Sequence, residues 1–261
     1  MRIALIGAGN LATRLGVALV ESGHDVLQVY SRTGQSASVL GALLHTKYVT
    51  SFHELCTDAD IYIVALKDSV LSDLIPQIVE GREKALFVHT AGSMPASLWK
   101  GSAERYGVFY PMQTFSKQRE TDFSVIPIFV EATNEEDSAC LKLLASSLSR
   151  KVFEATSEQR RVLHLSAVFA CNFTNYMYSV CEHLLQEAGL PFESMLPLID
   201  ETAAKVHVLQ PSQAQTGPAV RNDDNVMAKH LEMLEKYPNW QDLYEQISKN
   251  IYYDKLRFDQ D

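Results

Sequence analysis

At 261 residues, with hydrophobic side chains at 46% and charged ones at 21%, the chain can bury the core of one large domain or two moderate ones. Its formal net charge of −9 argues against a nucleic-acid or membrane-surface partner, since both need a basic footprint; a small anionic cofactor held by backbone geometry stays open. Cys56, Cys140, Cys171 and Cys181 show neither Cys-x-x-Cys spacing nor clustering with histidines. The expectation is reduced, buried thiols in a cytoplasmic protein, with no metal site.

The chain opens on an apolar run, Ile3–Ile6, followed by Gly7-Ala8-Gly9-Asn10-Leu11-Ala12, a G-x-G-x-x-A spacing. Leu11, Leu15, Ala18 and Leu19 then recur at helical intervals as far as Ser22-Gly23. Met1-Arg2 therefore leads into a strand rather than a signal-peptide n-region, and no later stretch has the length of an apolar membrane span. In a strand–turn–helix of this kind Gly7 permits the sharp turn, Gly9 lets backbone N–H groups approach a pyrophosphate, and Ala12 keeps helix and sheet close. Gly7, Ala8, Gly9, Asn10 and Leu11 are thus the expected phosphate cradle at a helix N-terminus.

Asp25–Tyr30 reads as the second strand, and Ser31-Arg32-Thr33 follows where a parallel βαβ unit reads the adenosine ribose. An acidic residue there would repel a 2′-phosphate; a hydroxyl and a guanidinium suit one, so Ser31 and Arg32 point to NADP over NAD. A helix over 36–44, a short strand over 47–49 and a short helix over 51–55 come next. Ile61–Leu66 is continuously apolar, as a strand buried on both faces should be. It delivers Leu66 and Lys67 to the carboxyl edge of the sheet, where ligands collect.

A helix over 70–78 and a strand over 85–89 lead to the small-residue loop Thr90-Ala91-Gly92-Ser93-Met94-Pro95. Strands over 107–110 and 126–131 follow, with Tyr110-Pro111-Met112-Gln113-Thr114-Phe115 after the first. A helix over 135–149 and an extended 151–154 complete a doubly wound α/β domain, 1–155. From about Thr156 strand signals cease. Long helical patterns run over 157–188, 192–208, 223–235 and 240–256, punctuated by Gly189-Leu190-Pro191 and Tyr237-Pro238. Residues 156–261 are read as an all-helical substrate and dimerisation domain.

A Rossmann domain followed by an all-helical one resembles the 6-phosphogluconate-dehydrogenase-like superfamily. That group includes β-hydroxyacid dehydrogenases, ketopantoate reductase, pyrroline-5-carboxylate reductase and deazaflavin-dependent NADP reductases. Four segments resemble a bacterial Rossmann-like family of unknown function within it: Gly7–Asn10, His89–Ser93, Tyr110–Phe115 and Thr216–Asp223. The resemblance implies an NADP-dependent oxidoreductase acting on a small molecule between two domains, and a homodimer formed through the helical half. In the hydroxyacid dehydrogenases a lysine acts as acid/base four residues before an asparagine. Asn172 could be that asparagine, but the residue four earlier is Val168, which cannot transfer a proton; the closer family's His-Pro is here Tyr110-Pro111.

Hydride transfer also needs a group to handle a proton. His164 and Asn172 lie eight residues apart on one predicted helix and project from nearly the same face. His164 is then either a general acid or a packing residue, and Asn172 either a substrate-orienting amide or a structural one. Tyr110 is either a phenolic proton donor or a core aromatic with a wet hydroxyl. Ser93 and Thr90 either bind a substrate carboxylate or the nicotinamide amide, or form a polar turn; Gln113 and Thr114 are similarly poised. Arg221 either forks onto a substrate anion or pairs with Asp223 or Asp224 to cap the next helix. The reading is an NADP-dependent oxidoreductase of a small carbonyl, imine or hydroxyacid. Its rivals are a non-catalytic NADP-binding or redox-sensing protein and a Rossmann domain that binds another nucleotide.

Overall fold

A computed structural model describes residues 1–258. The first 172 residues form one unit and the chain from Phe173 onward a second. The first unit is built on an eight-stranded sheet in the order β3-β2-β1-β4-β5-β6-β7-β8. Its strands are β1 Arg2–Ile6, β2 Asp25–Tyr30, β3 Lys47–Val49, β4 Ile61–Val64, β5 Leu86–His89, β6 Arg105–Pro111, β7 Ile128–Ala132 and β8 Val152–Glu154. All neighbours pair in parallel except β6 and β7, which run antiparallel. The helices of this unit are α1 Asn10–Glu21, α2 Gly34–Leu43, α3 Asp68–Val79, α4 Glu135–Leu148 and α5 Ser157–Ala167.

Both faces of the sheet are covered, which is why its central strands read as unbroken apolar runs. Ile3, Leu5, Ile61, Ile63, Leu86 and Val88 pack on one side with α1 residues Ala12, Leu15 and Leu19. Ala4, Ile6, Tyr62, Val64 and Phe87 pack on the other with Leu71, Ile75 and Ile78 of α3. Alternate residues of one strand thus feed two cores. At about 1.5–3 kcal/mol for each large side chain buried, these two layers supply most of the favourable energy of the unit.

Several elements depart from the sequence reading. The segment expected to begin a strand at Ile126 starts with a 3₁₀ turn, Phe123–Val125, and pairs only from Ile128. The short helix over 51–55 is a 3₁₀ turn, Phe52–Glu54, and the helix expected over 192–208 begins with one, Phe192–Met195. The long helix expected over 157–188 is not one α-helix: Val168–Phe173 is π-helical between α5 and α6 (Thr174–Glu187). A π turn takes one more residue per hydrogen-bonded loop, so the 3.6-residue spacing that placed His164 and Asn172 on one face does not carry through it.

The second unit continues with α7 Leu196–Lys205, α8 Pro211–Ala214, a 3₁₀ turn at Ala219–Arg221, α9 Asp224–Met233 and α10 Pro238–Phe258. Among the described residues no helix is long and apolar enough to cross a membrane. Its apolar side chains are unusually open to solvent: Leu198 is 62% exposed, Met233 73% and Val208 82%.

Candidate nucleotide and proton-transfer site

The chain reverses direction across the sheet between β1 and β4, because β2 and β3 lie on one side of β1 and β4 to β6 on the other. Ligands of open α/β sheets bind in the crevice at such a switch point, outside the carboxyl ends of the strands. Five of the expected cofactor residues, Gly7 to Leu11, follow β1 at that edge, and Leu66 and Lys67 follow β4. The two turns touch. Gly7 has φ +121°, a conformation that favours glycine, and a Cβ placed on it would lie 2.3 Å from the Ala65 carbonyl oxygen. Gly9 is different. Its φ is −78°, and nothing lies within 4 Å of where its Cβ would be.

Open space at Gly9 coincides with an electrostatic pattern. The three helices that start at the carboxyl edge, α1, α2 and α3, have no side-chain cap on their first N–H groups. The two that start at the opposite edge are capped, α4 by Asn134 and α5 by Thr156 in a capping box. Uncapped N–H groups and the positive end of the dipole favour an anion, so this edge alone is left to receive one. Ser31 and the exposed Arg32 follow β2 and lead into α2; Arg32 has no hydrogen-bond or ion-pair partner among the described residues. Asn10 braces the turn from the side: its side-chain amide donates to the Phe115 carbonyl at 3.0 Å, and Arg14 donates to Ser116 O and Lys117 O. The segment after β6 is thereby tied to the first turns of α1.

On the β5–β6 side the structure brings two expected residues, Tyr110 and His164, together beside Gly92. The Tyr110 hydroxyl lies 3.3 Å from His164 Nδ1. A Cβ on Gly92 would stand 2.7 Å from that same nitrogen and 2.9 Å from Tyr110 Cζ, so only glycine leaves room for the two rings to meet there. Burial pushes the Tyr110 phenol above its ordinary value, with Arg160 opposing and Asp68 adding to the shift. Tyr110 is therefore a neutral donor throughout the physiological range. Next in the loop, Ser93 donates its hydroxyl to Asp68 Oδ2 at the start of α3. Gln113 turns back on its own backbone, its Oε1 accepting from Thr114 N at 2.8 Å. Asn172 is exposed within the π-helical stretch. Arg221 lies in the second unit; no pairing with Asp223 or Asp224 is formed, and Asp223 alone caps α9 through Val226 N.

Four groups at this site, Asp68, His89, Arg160 and Glu131, are not among the candidate site residues read from the sequence. His89 is fully buried on β5; its Nδ1 accepts from Ala91 N, which leaves the proton on Nε2 to donate to Pro95 O at 3.3 Å. Burial pushes this imidazole down to about 4, only partly offset by the Pro95 bond. Arg160, 1% exposed, pairs with Glu131 of β7 and donates to the Met94 carbonyl. Polar residues of this kind in strands and amphipathic helices look like surface positions in a sequence. The one available signal is the four-residue spacing of Arg160 and His164, which stacks them on one face of α5.

Comparison with known proteins matches two stretches of the chain to family models. Residues 2–93 match the family model described as NADP oxidoreductase coenzyme F420-dependent, and residues 126–251 match one described as a domain of unknown function (DUF2520). The crystal structure of a protein from Bacteroides fragilis, provisionally described as an NADP oxidoreductase, is 56% identical, covers 97% of this chain and 98% of its own, and has a TM-score of 0.93. A protein from Thermotoga maritima has 21% identity, coverage of 97% and 99%, and a TM-score of 0.81. An imine reductase from Myxococcus stipitatus in complex with NADP+ has 15% identity, coverage of 98% and 93%, and a TM-score of 0.67; at that identity it shares the fold. No protein with a curated description matches.

Proposed function

The chain belongs to the same family as the Bacteroides fragilis protein, and on that premise we propose that it is an NADP-dependent oxidoreductase of a small carbonyl, imine or hydroxyacid. The observation that carries the reading is Gly9: open space in front of an uncapped helix N-terminus, at the switch point of the sheet. The residues present fit a dinucleotide. Gly7 to Leu11 would face its pyrophosphate, with Asn10 holding the Phe115 segment beside it. Ser31 and Arg32 would take the 2′-phosphate. Leu66 and Lys67 would border the crevice at β4.

The bound nicotinamide supplies the hydride chemistry. The protein's part in a reduction is then to deliver a proton to the substrate oxygen or nitrogen. Tyr110 donates it from the phenol, and His164 replaces it across their 3.3 Å contact. Ser93, Gln113 and Asn172 would orient the substrate; Arg221, on the second unit, is a guanidinium that would suit an anionic group. Leu198, Val208 and Met233 give the second unit an apolar surface of the kind a homodimer through the helical half would cover. A cytoplasmic location accords with four free cysteines.

The test is a fluorescence titration with NADPH and NADH, alongside Arg32→Ala. The expected result is tight NADPH binding that Arg32→Ala weakens, with NADH unaffected. Binding of neither nucleotide would overturn the reading. Val168, where related hydroxyacid dehydrogenases have a proton-transferring lysine, favours a second reading, a non-catalytic NADP-binding or redox-sensing protein. Tight NADPH binding without turnover across carbonyls, imines and hydroxyacids would select it.

A further inference from the structure

The loop from Thr90 to Ala96 is held along its length by buried groups. His89 takes Ala91 N and Pro95 O. Arg160 takes Met94 O, and the Ser157 hydroxyl accepts from Ala96 N at 3.0 Å. Ser157 and Arg160 are both on α5, and both end on one carboxylate: Ser157 Oγ donates to Glu131 at 2.9 Å, and Arg160 Nη1 pairs with it. Arg160 is thus a fork, one arm on β7 and the other on the loop.

A buried ion pair is a costly way to gain stability. Removing two charges from water offsets most of their attraction, and apolar side chains of similar volume often hold a fold equally well. Arg160 even leaves its Nε without a hydrogen-bond partner in the interior. What the fork provides is a fixed register between helix and loop. His164 sits four residues further along α5, about 6 Å at 1.5 Å per residue. It meets Tyr110 through a gap that a single Cβ on Gly92 would close. Their contact of 3.3 Å is already at the long end for a hydrogen bond, so a slip of α5 by about 1 Å would break it.

We propose that Arg160, through its fork onto Glu131 and Met94 O, is a positioning residue that sets His164 against Tyr110. The inference rests on the reading above only for what the Tyr110–His164 pair does; the positioning itself can be measured without nucleotide or substrate.

The experiment follows the His164 imidazole by NMR in the full chain at one fixed pH, its signals assigned by their loss in His164→Gln. Tyr110→Phe is introduced into three backgrounds: the unaltered chain, Arg160→Lys, and Arg160→Met with Glu131→Gln. Lysine keeps a charge for Glu131 but has no second arm for Met94 O, and the double variant leaves no buried charge unpaired. In the unaltered chain Tyr110→Phe is expected to displace the His164 signals. In both Arg160 backgrounds most of that displacement should vanish, while the His183 and His230 signals of the second unit stay in place. A displacement of undiminished size in either folded background would overturn the proposal. So would loss of cooperative unfolding in both, which would make the pair a stability element. NADPH titration of the same proteins keeps the two ideas apart: absent binding with lost coupling removes the cofactor reading and leaves the positioning role standing.

Discussion

Tyr110 near the end of strand β6 and His164 on α5 meet at 3.3 Å over Gly92, whose missing side chain is what admits them. Gly92→Ala is the smallest change that separates them. Its Cβ would fall 2.7 Å from His164 Nδ1 and 2.9 Å from both His164 Cγ and Tyr110 Cζ, closer than real carbon contacts allow. Overpacking of this kind costs about 1–3 kcal/mol of stability. If the pair handles the proton, turnover should fall by at least about tenfold while the NADPH dissociation constant changes little. Steady-state kinetics and a binding titration on one preparation check this, and an unchanged turnover would remove Tyr110 and His164 from the chemistry.

His89 makes stability depend on pH in a defined window. Its imidazole is neutral in the fold, pushed down to about 4 from an ordinary 6.5 by burial. The unfolded chain therefore binds a proton below pH 6.5 that the native state refuses until about 4. Stability from this group is complete above 6.5, falls as pH drops through the window, and is lower by about 3 kcal/mol at the acid end. Chemical denaturation of the wild type and His89→Gln between pH 7.5 and 4 should show the extra slope in the wild type alone. Parallel curves would mean that His89 takes up its proton in the native state.

The parts of this architecture visible in the sequence are those set by neighbours in the chain. Ile3–Ile6 with Gly7, Gly9 and Ala12 announces the first strand, turn and helix, because each residue type answers to local backbone geometry. The edge strand Lys47–Val49 is legible to its observed bounds. The antiparallel β6–β7 pairing is not, since Gly107 meeting Ala132 depends on contacts far apart in sequence. Nor is the π-helical Val168–Phe173, whose apolar residues fit an α-helical pattern equally well. Tyr110 and His164 each stand out as candidates in the sequence, but their contact spans fifty-four residues and only the fold reveals it. Arg160 and His89 escape notice for a related reason: a buried charge or imidazole shows itself through its partners.

Arg82 illustrates that kind of dependence away from the candidate site. It follows α3, is 8% exposed, and donates to five backbone carbonyls, those of Phe52, Leu55, Cys56, Ile78 and Glu80. Arg82→Met would keep much of the volume and remove these five bonds, although Cys56 O would still accept from the Tyr62 hydroxyl and Phe52 O from Leu55 N. Given about 1 kcal/mol for each hydrogen bond lost and the imperfect geometry of some, a destabilisation of about 3 kcal/mol is expected. Because none of these carbonyls faces Gly9, NADPH affinity measured on the folded fraction should match the wild type. A melting temperature within a degree or two of the wild type would show that water replaces the guanidinium at no cost.

The two glycines of the first turn should separate folding from binding. Gly7→Ala places a Cβ 2.3 Å from the Ala65 carbonyl oxygen on a backbone held at φ +121°. Neither atom is at the free end of a flexible side chain, so β1 or β4 must move, and a loss of about 3 kcal/mol or more is expected. Gly9→Ala meets nothing within 4 Å at an ordinary φ of −78°. Alanine is a poorer N-cap than glycine, which sets its stability cost at no more than about 1 kcal/mol. Its methyl group would occupy the space through which a pyrophosphate reaches the N–H groups of α1, so NADPH affinity should drop by at least about tenfold, or 1.4 kcal/mol. Thermal melts and nucleotide titrations on the two variants give the comparison. A Gly9→Ala protein that melts like the wild type and binds NADPH equally well would mean that the phosphates do not sit at this helix, and the cofactor reading would fall with it.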